Sequence, residues 1–270
     1  MTIKNKYIDL ATGITLQYVE QGDHSGLPIL FIPGALGTWK SYERIFPYLP
    51  SAMHAFSITL RGRGDSDKPE SGYDFKETAI DIAAFMDAHH LDSAVLVGHS
   101  HSTLCIQRFG IDFPERTRGL VMIGGVYSVA HTPEEEDFWE NVIMKLEDPI
   151  ETDMVVEFYE SIIHQPVPGD YIKLMAKDTA KAPARVWREV YRPLVESDNS
   201  DDLHKITATT LLVRGEQDKA VARDQQDELL KAIPGAQLKI YEAVGHCPNW
   251  EIPERFASDL IDFVEALPDR

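Results

Sequence analysis

Ser100 is the residue whose setting most directly suggests chemistry. It lies in Gly98-His99-Ser100-His101-Ser102, directly after the apolar run Val95-Leu96-Val97. Beyond it, Leu104, Cys105, Ile106 and Phe109 recur at helical spacing. The pattern predicts strand, abrupt turn, then helix. A serine on such a turn projects its hydroxyl above the sheet, and the N–H of the next residue stands at a helix N-terminus. That setting suits a nucleophile. A serine hydroxyl is weak by itself and needs a base within hydrogen-bond reach, oriented by a third group. Partners must lie on loops at the C-terminal ends of parallel strands, where ligands meet such sheets. Two places meet this condition. Leu211-Leu212-Val213 runs into Arg214-Gly215-Glu216-Gln217-Asp218, which supplies carboxylates. The run Leu238 to Tyr241 leads to Glu242-Ala243-Val244-Gly245-His246, which supplies an imidazole.

The elements that must position these residues follow from the apolar patterning. Ile14 to Val19 alternates and pairs with Tyr7–Leu10 as an opening antiparallel unit. Pro28 to Ile32 reads as a strand buried on both faces and stops at the loop Pro33-Gly34-Ala35-Leu36-Gly37. Ala55 to Leu60 is a further strand, running into Arg61-Gly62-Arg63-Gly64-Asp65-Ser66. Phe75 to His90 carries a helical stripe, with Asp74 as N-cap and Glu77 three residues on. Further strands are predicted at Ser93–Val97, Gly119–Ile123, Thr209–Val213 and Gln237–Tyr241, and a last helix from Pro253 to Ala266. Strands alternating with helices predict an α/β class, a mostly parallel sheet with helices on both faces. From Val126 to His204 the alternation stops and only helix signals remain. Thr132-Pro133-Glu134-Glu135 is a helix start, and Met154 to Ile162, Tyr171 to Lys181 and Ala184 to Val195 are helical stripes.

With these residues in place the chain is identified as a member of the α/β-hydrolase superfamily. The resemblance spans nearly the whole length apart from the helical insertion. It rests on the elbow Gly98–Ser102, the loop Pro33-Gly34-Ala35, the turn Arg61–Ser66, Gly215-Glu216-Gln217-Asp218, and Gly245-His246-Cys247-Pro248-Asn249-Trp250-Glu251-Ile252-Pro253. The order Ser100, Asp218, His246 is the family's order of nucleophile, acid and base. The resemblance implies an eight-stranded core from residues 1–125 and 205–270 and a helical lid, 126–204, after the sixth strand. It implies Ser100 as nucleophile, His246 as general base and acid, and Asp218 as the orienting carboxylate, with Glu216 the alternative acid. The other place some relatives carry the acid, after the preceding strand, holds Gly124-Gly125. Backbone N–H groups of Ala35 and His101 would form the oxyanion hole, each donor being worth ~3 kcal/mol of barrier.

Three departures stand out, one being Pro33, which stands where the family usually has a His before the oxyanion-loop glycine. Ser102-Thr103 replaces the glycines that usually close the elbow. A Gly-His-Ser-x-Ser elbow resembles that of the plant butenolide-hormone receptors and a related bacterial stress-signalling hydrolase. His101 after the serine is also uncommon, and a serine with histidines on both sides resembles cofactor-free ring-cleaving dioxygenases, although here the simpler reading is that the His101 side chain lines the pocket. Among apolar residues, Leu36, Phe138, Trp139, Phe158 and Trp187 are candidates for the pocket wall. Glu251 reads as a local cap or pair, the Arg61–Ser66 turn as structural, and Cys105 and Cys247 as packing residues.

The remaining constraints are broad. A net charge of −18 argues against nucleic acid and anionic membranes as partners. Two cysteines make no disulfide framework, the N-terminal Met1-Thr-Ile-Lys-Asn-Lys has no apolar secretory core, and a cytoplasmic protein is expected. His54, His89, His90, His131, His164 and His204 show no ligand-like spacing, so neither a metal nor a cofactor is expected. The reading is a serine hydrolase of a small, largely apolar ester or lactone. The alternatives are hydrolysis of a carbon–carbon bond in a vinylogous diketone, cofactor-free oxygenation, or a ligand receptor on the same fold.

Overall fold

In the computed structural model, residues 3–268 are described; Met1 and Thr2, which belong to the N-terminal reading above, and the last two residues of the expected core lie outside that range. Eight strands form one sheet: β1 (Lys6–Asp9), β2 (Thr15–Gln21), β3 (Pro28–Ile32), β4 (His54–Thr59), β5 (Ala94–His99), β6 (Thr117–Ile123), β7 (Thr209–Gly215) and β8 (Gln237–Tyr241), in the order β1-β2-β4-β3-β5-β6-β7-β8. β1, β2 and β4 pair antiparallel, and every pair from β4 through β8 is parallel. The order reverses between β3 and β5, which is where open α/β sheets leave a crevice beyond the strand ends. The register Ile32↔Gly98 ends β3 and β5 at the same level, so loop 33–37 and the Ser100 turn emerge side by side.

The sheet is buried on both faces because its strands carry apolar residues at successive positions. On β3, Leu30 and Ile32 face the core built with α1 (Phe75–Ala88), α2 (Ser102–Asp112) and α7 (Arg223–Ala232), while Ile29 and Phe31 face the core built with α9 (Pro253–Glu265). Asp74 caps α1 by accepting from Glu77 N at 2.8 Å, as its spacing predicts. The helix stops at Ala88 rather than His90, whose φ of +56° lies in the left-handed region.

Between β6 and β7 lie α3 (Pro133–Asn141), α4 (Thr152–Ile162), α5 (Gly169–Thr179) and α6 (Ala184–Glu196), with no strand among the described residues there. Thr132 caps α3, with Pro133 at its first position. α5 begins two residues earlier than the apolar stripe suggests, with Pro168 as its N-cap. A third cluster joins these helices to the crevice, with Val155, Tyr159, Trp187 and Tyr191 packed near Leu36, Cys247 and Trp250. A short helix, α8 (Pro248–Glu251), precedes α9. No helix among the described residues is long and apolar enough to cross a membrane.

Candidate active site

Ser100 follows the last residue of β5 and adopts φ +53°, a strained conformation for a residue with a side chain. Its surroundings over-determine that conformation. Ser100 N donates to Ile123 O at 2.8 Å, and Ser100 O accepts from Thr103 N at 2.8 Å and from Thr103 Oγ1 at 2.6 Å. Thr103 Oγ1 accepts in turn from Val126 N at 3.1 Å, tying the elbow to the segment leaving β6. Ser102 Oγ accepts from His99 N at 2.9 Å and contacts Ile32 O at 2.7 Å, where loop 33–37 begins. The two residues that replace the usual glycines therefore give the turn hydroxyl ties instead of close packing alone. Gly98 keeps the close approach, since a Cβ there would lie 2.9 Å from Ile106 Cδ1 and 3.0 Å from Ser102 O.

Asp218 and His246 stand beyond adjacent strands, whose register Gly215↔Tyr241 brings their loops together. The loops touch backbone to backbone: a Cβ at Gly215 would meet Gly245 O at 1.9 Å. His246 Nδ1 lies 2.9 Å from Asp218 Oδ2, with both side chains buried. Asp218 Oδ1 accepts from Ala220 N at 2.9 Å and Val221 N at 3.0 Å. Burial opposes the charged carboxylate, yet the imidazole beside it and these two N–H groups hold Asp218 below the usual carboxylate value. An anionic Asp218 accepts Nδ1–H and leaves Nε2 of His246 as the basic nitrogen. Glu216 is exposed and reaches Gln217 Nε2 and Ala243 N instead, so the carboxylate paired with His246 is that of Asp218.

The His246 loop has a second support, of which the local reading of Glu251 covers only part. Glu251 is buried, and its carboxylate accepts from four backbone N–H groups: Gly245 at 2.8 Å, His164 at 2.9 Å, Gln165 at 2.7 Å and Cys247 at 3.1 Å. His246 N donates to Ile162 O, the end of α4, at 2.9 Å. The Gly-His-x4-Glu spacing is the only linear trace of this clamp, and nothing local marks its partners 164 and 165.

Ser100, His246, Ala35 and Leu36 line one cavity, closed by Val155, Phe158 and Tyr159 of α4 and by Trp187 and Tyr191 of α6. It encloses about 590 Å³ of empty space, its open mouth included. No Asp, Glu, Lys or Arg is among its described lining residues; its polar groups include Ser41, the Tyr159 hydroxyl and Thr179 Oγ1, the last two 2.6 Å apart. Of the residues expected in the wall, Leu36, Phe158 and Trp187 are there. Phe138 and Trp139 are not: both are on α3, where Phe138 packs against Tyr191 behind the wall and Trp139 lies near the Arg192 guanidinium.

The His101 side chain also departs from its expected place. It turns away from the cavity, donates Nε2–H to Val190 O of α6 at 3.0 Å, and packs edge-on against Phe75. Its Nδ1 is buried without a partner among the described residues. Burial, assisted by nearby Arg63, pushes the His101 imidazole down to about 3. His99 lines the cavity and contacts His246 O through Nε2 at 3.1 Å; burial, then the neighbouring His246, pushes it down to about 3 as well. The turn 61–66 has a structural role, as its glycines suggest, but it also reaches the site. Arg61 pairs with Asp81 at 2.5 and 2.7 Å, and the fully buried Arg63 donates Nε–H to Ala35 O.

Comparison with known proteins agrees with this architecture. The model of the Alpha/beta hydrolase family matches residues 29–259. A 2-(acetamidomethylene)succinate hydrolase of Mesorhizobium japonicum is 26% identical over 94% of this chain and 92% of its own length. A non-heme chloroperoxidase of Streptomyces lividans is 25% identical over 96% of this chain and 99% of its own. An esterase of Exiguobacterium antarcticum has the same fold, with a TM-score of 0.87 at 20% identity, covering 97% of this chain and all (100%) of that one.

Proposed function

The chain belongs to the Alpha/beta hydrolase family, and from that premise we propose that it is a serine hydrolase of small, largely apolar carboxylic esters or lactones. The observation that carries this reading is the shared apolar cavity of Ser100 and His246, with His246 Nδ1 fixed 2.9 Å from Asp218. Ser100 is the nucleophile. His246 takes its proton as Oγ attacks the carbonyl, and Asp218 holds the imidazole in the required tautomer and stabilises the imidazolium. The oxyanion is met by N–H of His101, at the start of α2, and by N–H of Ala35, whose own carbonyl is pinned by Arg63. His246 then gives its proton to the leaving group and activates water to release the acid.

The cavity supports an uncharged acyl group. A buried carboxylate would need a paired charge, and the described wall offers aromatic rings and hydroxyls. Segment 126–204 acts as the lid over a core of 1–125 and 205–270, with Phe158, 40% exposed, at the mouth.

The test is active-site labelling with a fluorophosphonate, followed by a screen of acyl chain lengths and lactones. Covalent attachment at Ser100, absent in a folded Ser100→Ala variant that no longer turns over aryl esters, is the expected result. Attachment elsewhere, or full turnover by Ser100→Ala, overturns the reading.

A further inference from the structure

Glu20, His24 and His54 place one ligand atom each within 4.8 Å of one another, at the end of the sheet away from Ser100. Glu20 and His54 come from the paired strands β2 and β4. Glu20 stands opposite Phe56, so His54, two residues earlier on the same face, is its diagonal neighbour. His24 comes from the loop leaving β2. An Asp23–Ser25 turn, with Ser25 N bonded to Asp23 Oδ1 at 2.9 Å, carries it there, and its ring packs edge-on against His54 at 4.7 Å.

Both imidazoles address the same oxygen. His54 Nε2 is 2.7 Å and His24 Nδ1 is 3.2 Å from Glu20 Oε1. The other oxygen, Oε2, accepts from Lys6 Nζ. Two of the three donors are rigidly held: the side chains of Glu20 and His54 are 7% and 4% exposed, whereas His24 is 79% exposed and free to adjust. Among the described residues nothing bonds to His54 Nδ1, so no partner there on the far side of the ring dictates which nitrogen carries the proton.

We infer that Glu20 Oε1, His24 Nδ1 and His54 Nε2 form a binding site for a divalent late transition-metal ion. Two imidazoles and one carboxylate are a zinc donor set. Bonds of about 2.0–2.2 Å to a tetrahedral ion put donor atoms roughly 3.3 Å apart. The His24–Glu20 contact is already near that spacing, the exposed His24 closes its distance to His54, and the 2.7 Å hydrogen bond between His54 and Glu20 opens by roughly 0.6 Å as the ion replaces its proton. Lys6 on Oε2 is the outer partner that leaves the carboxylate monodentate and fixes its direction. The open side at His24 gives an entry path and leaves a position for water. The strongly acidic chain favours cations over anions at its surface. The histidine spacing predicts no such site because its donors are brought together only by strand pairing and one loop. The ion would tie loop 22–27 to β2 and β4, a stabilising role independent of chemistry at Ser100.

The test uses the full chain freed of metal by a chelator and then titrated with Zn²⁺ by calorimetry. One equivalent binds saturably, and Zn²⁺ at about 100 times its Kd raises Tm by roughly 5 °C. His24→Ala, a change at an exposed position that leaves the fold intact, weakens binding by about tenfold or more, as does Glu20→Gln. His131→Ala, at another exposed histidine, leaves it unchanged. Absence of saturable binding, an unchanged Tm with Zn²⁺, or wild-type affinity in His24→Ala overturns the inference. None of these outcomes bears on fluorophosphonate labelling, so the two readings fail separately.

Discussion

Gly124 lies directly against the His246 ring: a Cβ at residue 124 would stand 2.6 Å from Cε1 and 2.8 Å from Nδ1. The same residue has φ +56° and donates its N–H to Val213 O at 2.9 Å. The end of β6, where a carboxylate could have stood, is instead the empty space into which the imidazole fits. Gly124→Ala therefore meets both a strained backbone and a ring it must displace. With His246 as the base proposed above, kcat on an aryl ester is expected to fall at least about a hundredfold, because a 1 Å displacement of such a group costs that much. Circular dichroism should show the variant still folded. Steady-state kinetics of the purified variant checks this, and near-wild-type kcat refutes the placement of His246.

The pairing of His246 with Asp218 rather than Glu216 gives a second expectation. Asp218→Asn keeps the shape but favours the wrong tautomer of His246, and a loss of about 10⁴ in kcat is expected. Glu216→Gln should stay within about threefold of wild type, since its carboxylate faces Gln217 and Ala243. Reversed magnitudes would transfer the orienting role to Glu216.

Glu251 provides a third. Its removal leaves the N–H groups of Gly245, Cys247, His164 and Gln165 without their acceptor. Glu251→Ala should lose about 3 kcal/mol of stability by denaturant titration and reduce kcat, since the His246 loop loses its anchor. Glu251→Gln, which keeps one acceptor oxygen, should fall between Ala and wild type. Equal stability of all three forms would mean that the clamp does not hold the loop.

A fourth concerns acid stability. His99 and His101 are depressed to about 3 in the folded chain, chiefly by burial, from an ordinary value near 6.5. Between those values the unfolded chain binds the extra protons, so stability rises with pH across this window. It is complete above pH ~6.5 and falls as pH drops toward ~3. Asp218 adds to the loss at the acid end, because its lowered carboxyl stabilises the fold above the unfolded value and ceases to do so as it protonates. Unfolding free energies at pH 7.5, 6.0 and 5.0 should decline, and the slope in His101→Phe should be shallower by about one proton. A parallel slope in that variant contradicts a buried neutral His101.

Much of the candidate site is legible in the sequence, and the reason is local. Ser100 is marked by a strand, a Gly and a helical stripe within about a dozen residues, and Asp218 and His246 each follow an apolar run. Strand boundaries shifted by a residue or two because end residues such as His54 and Gly215 join the ladder through backbone bonds that side-chain patterning does not encode. The Phe138 and Trp139 expectation failed for a different reason. Aromatic residues say which face of a helix is apolar, but on α3 the half-buried Phe138 packs against Tyr191 of α6, not into the cavity.

What the sequence by itself determined is the parallel core and the three side chains at its strand ends, since burial periodicity and turn chemistry act over short stretches. Tertiary structure alone decided the rest. Strand order placed loop 33–37 beside Ser100 and Asp218 beside His246. The end of α4 and residues 164 and 165 joined Glu251 around the His246 loop, and the His101 side chain went to Val190 rather than to the cavity. Strand pairing brought His54 to Glu20, 34 residues apart. Each of these is a contact between distant segments, set by sheet register and helix packing, and no local preference of the chain specifies those.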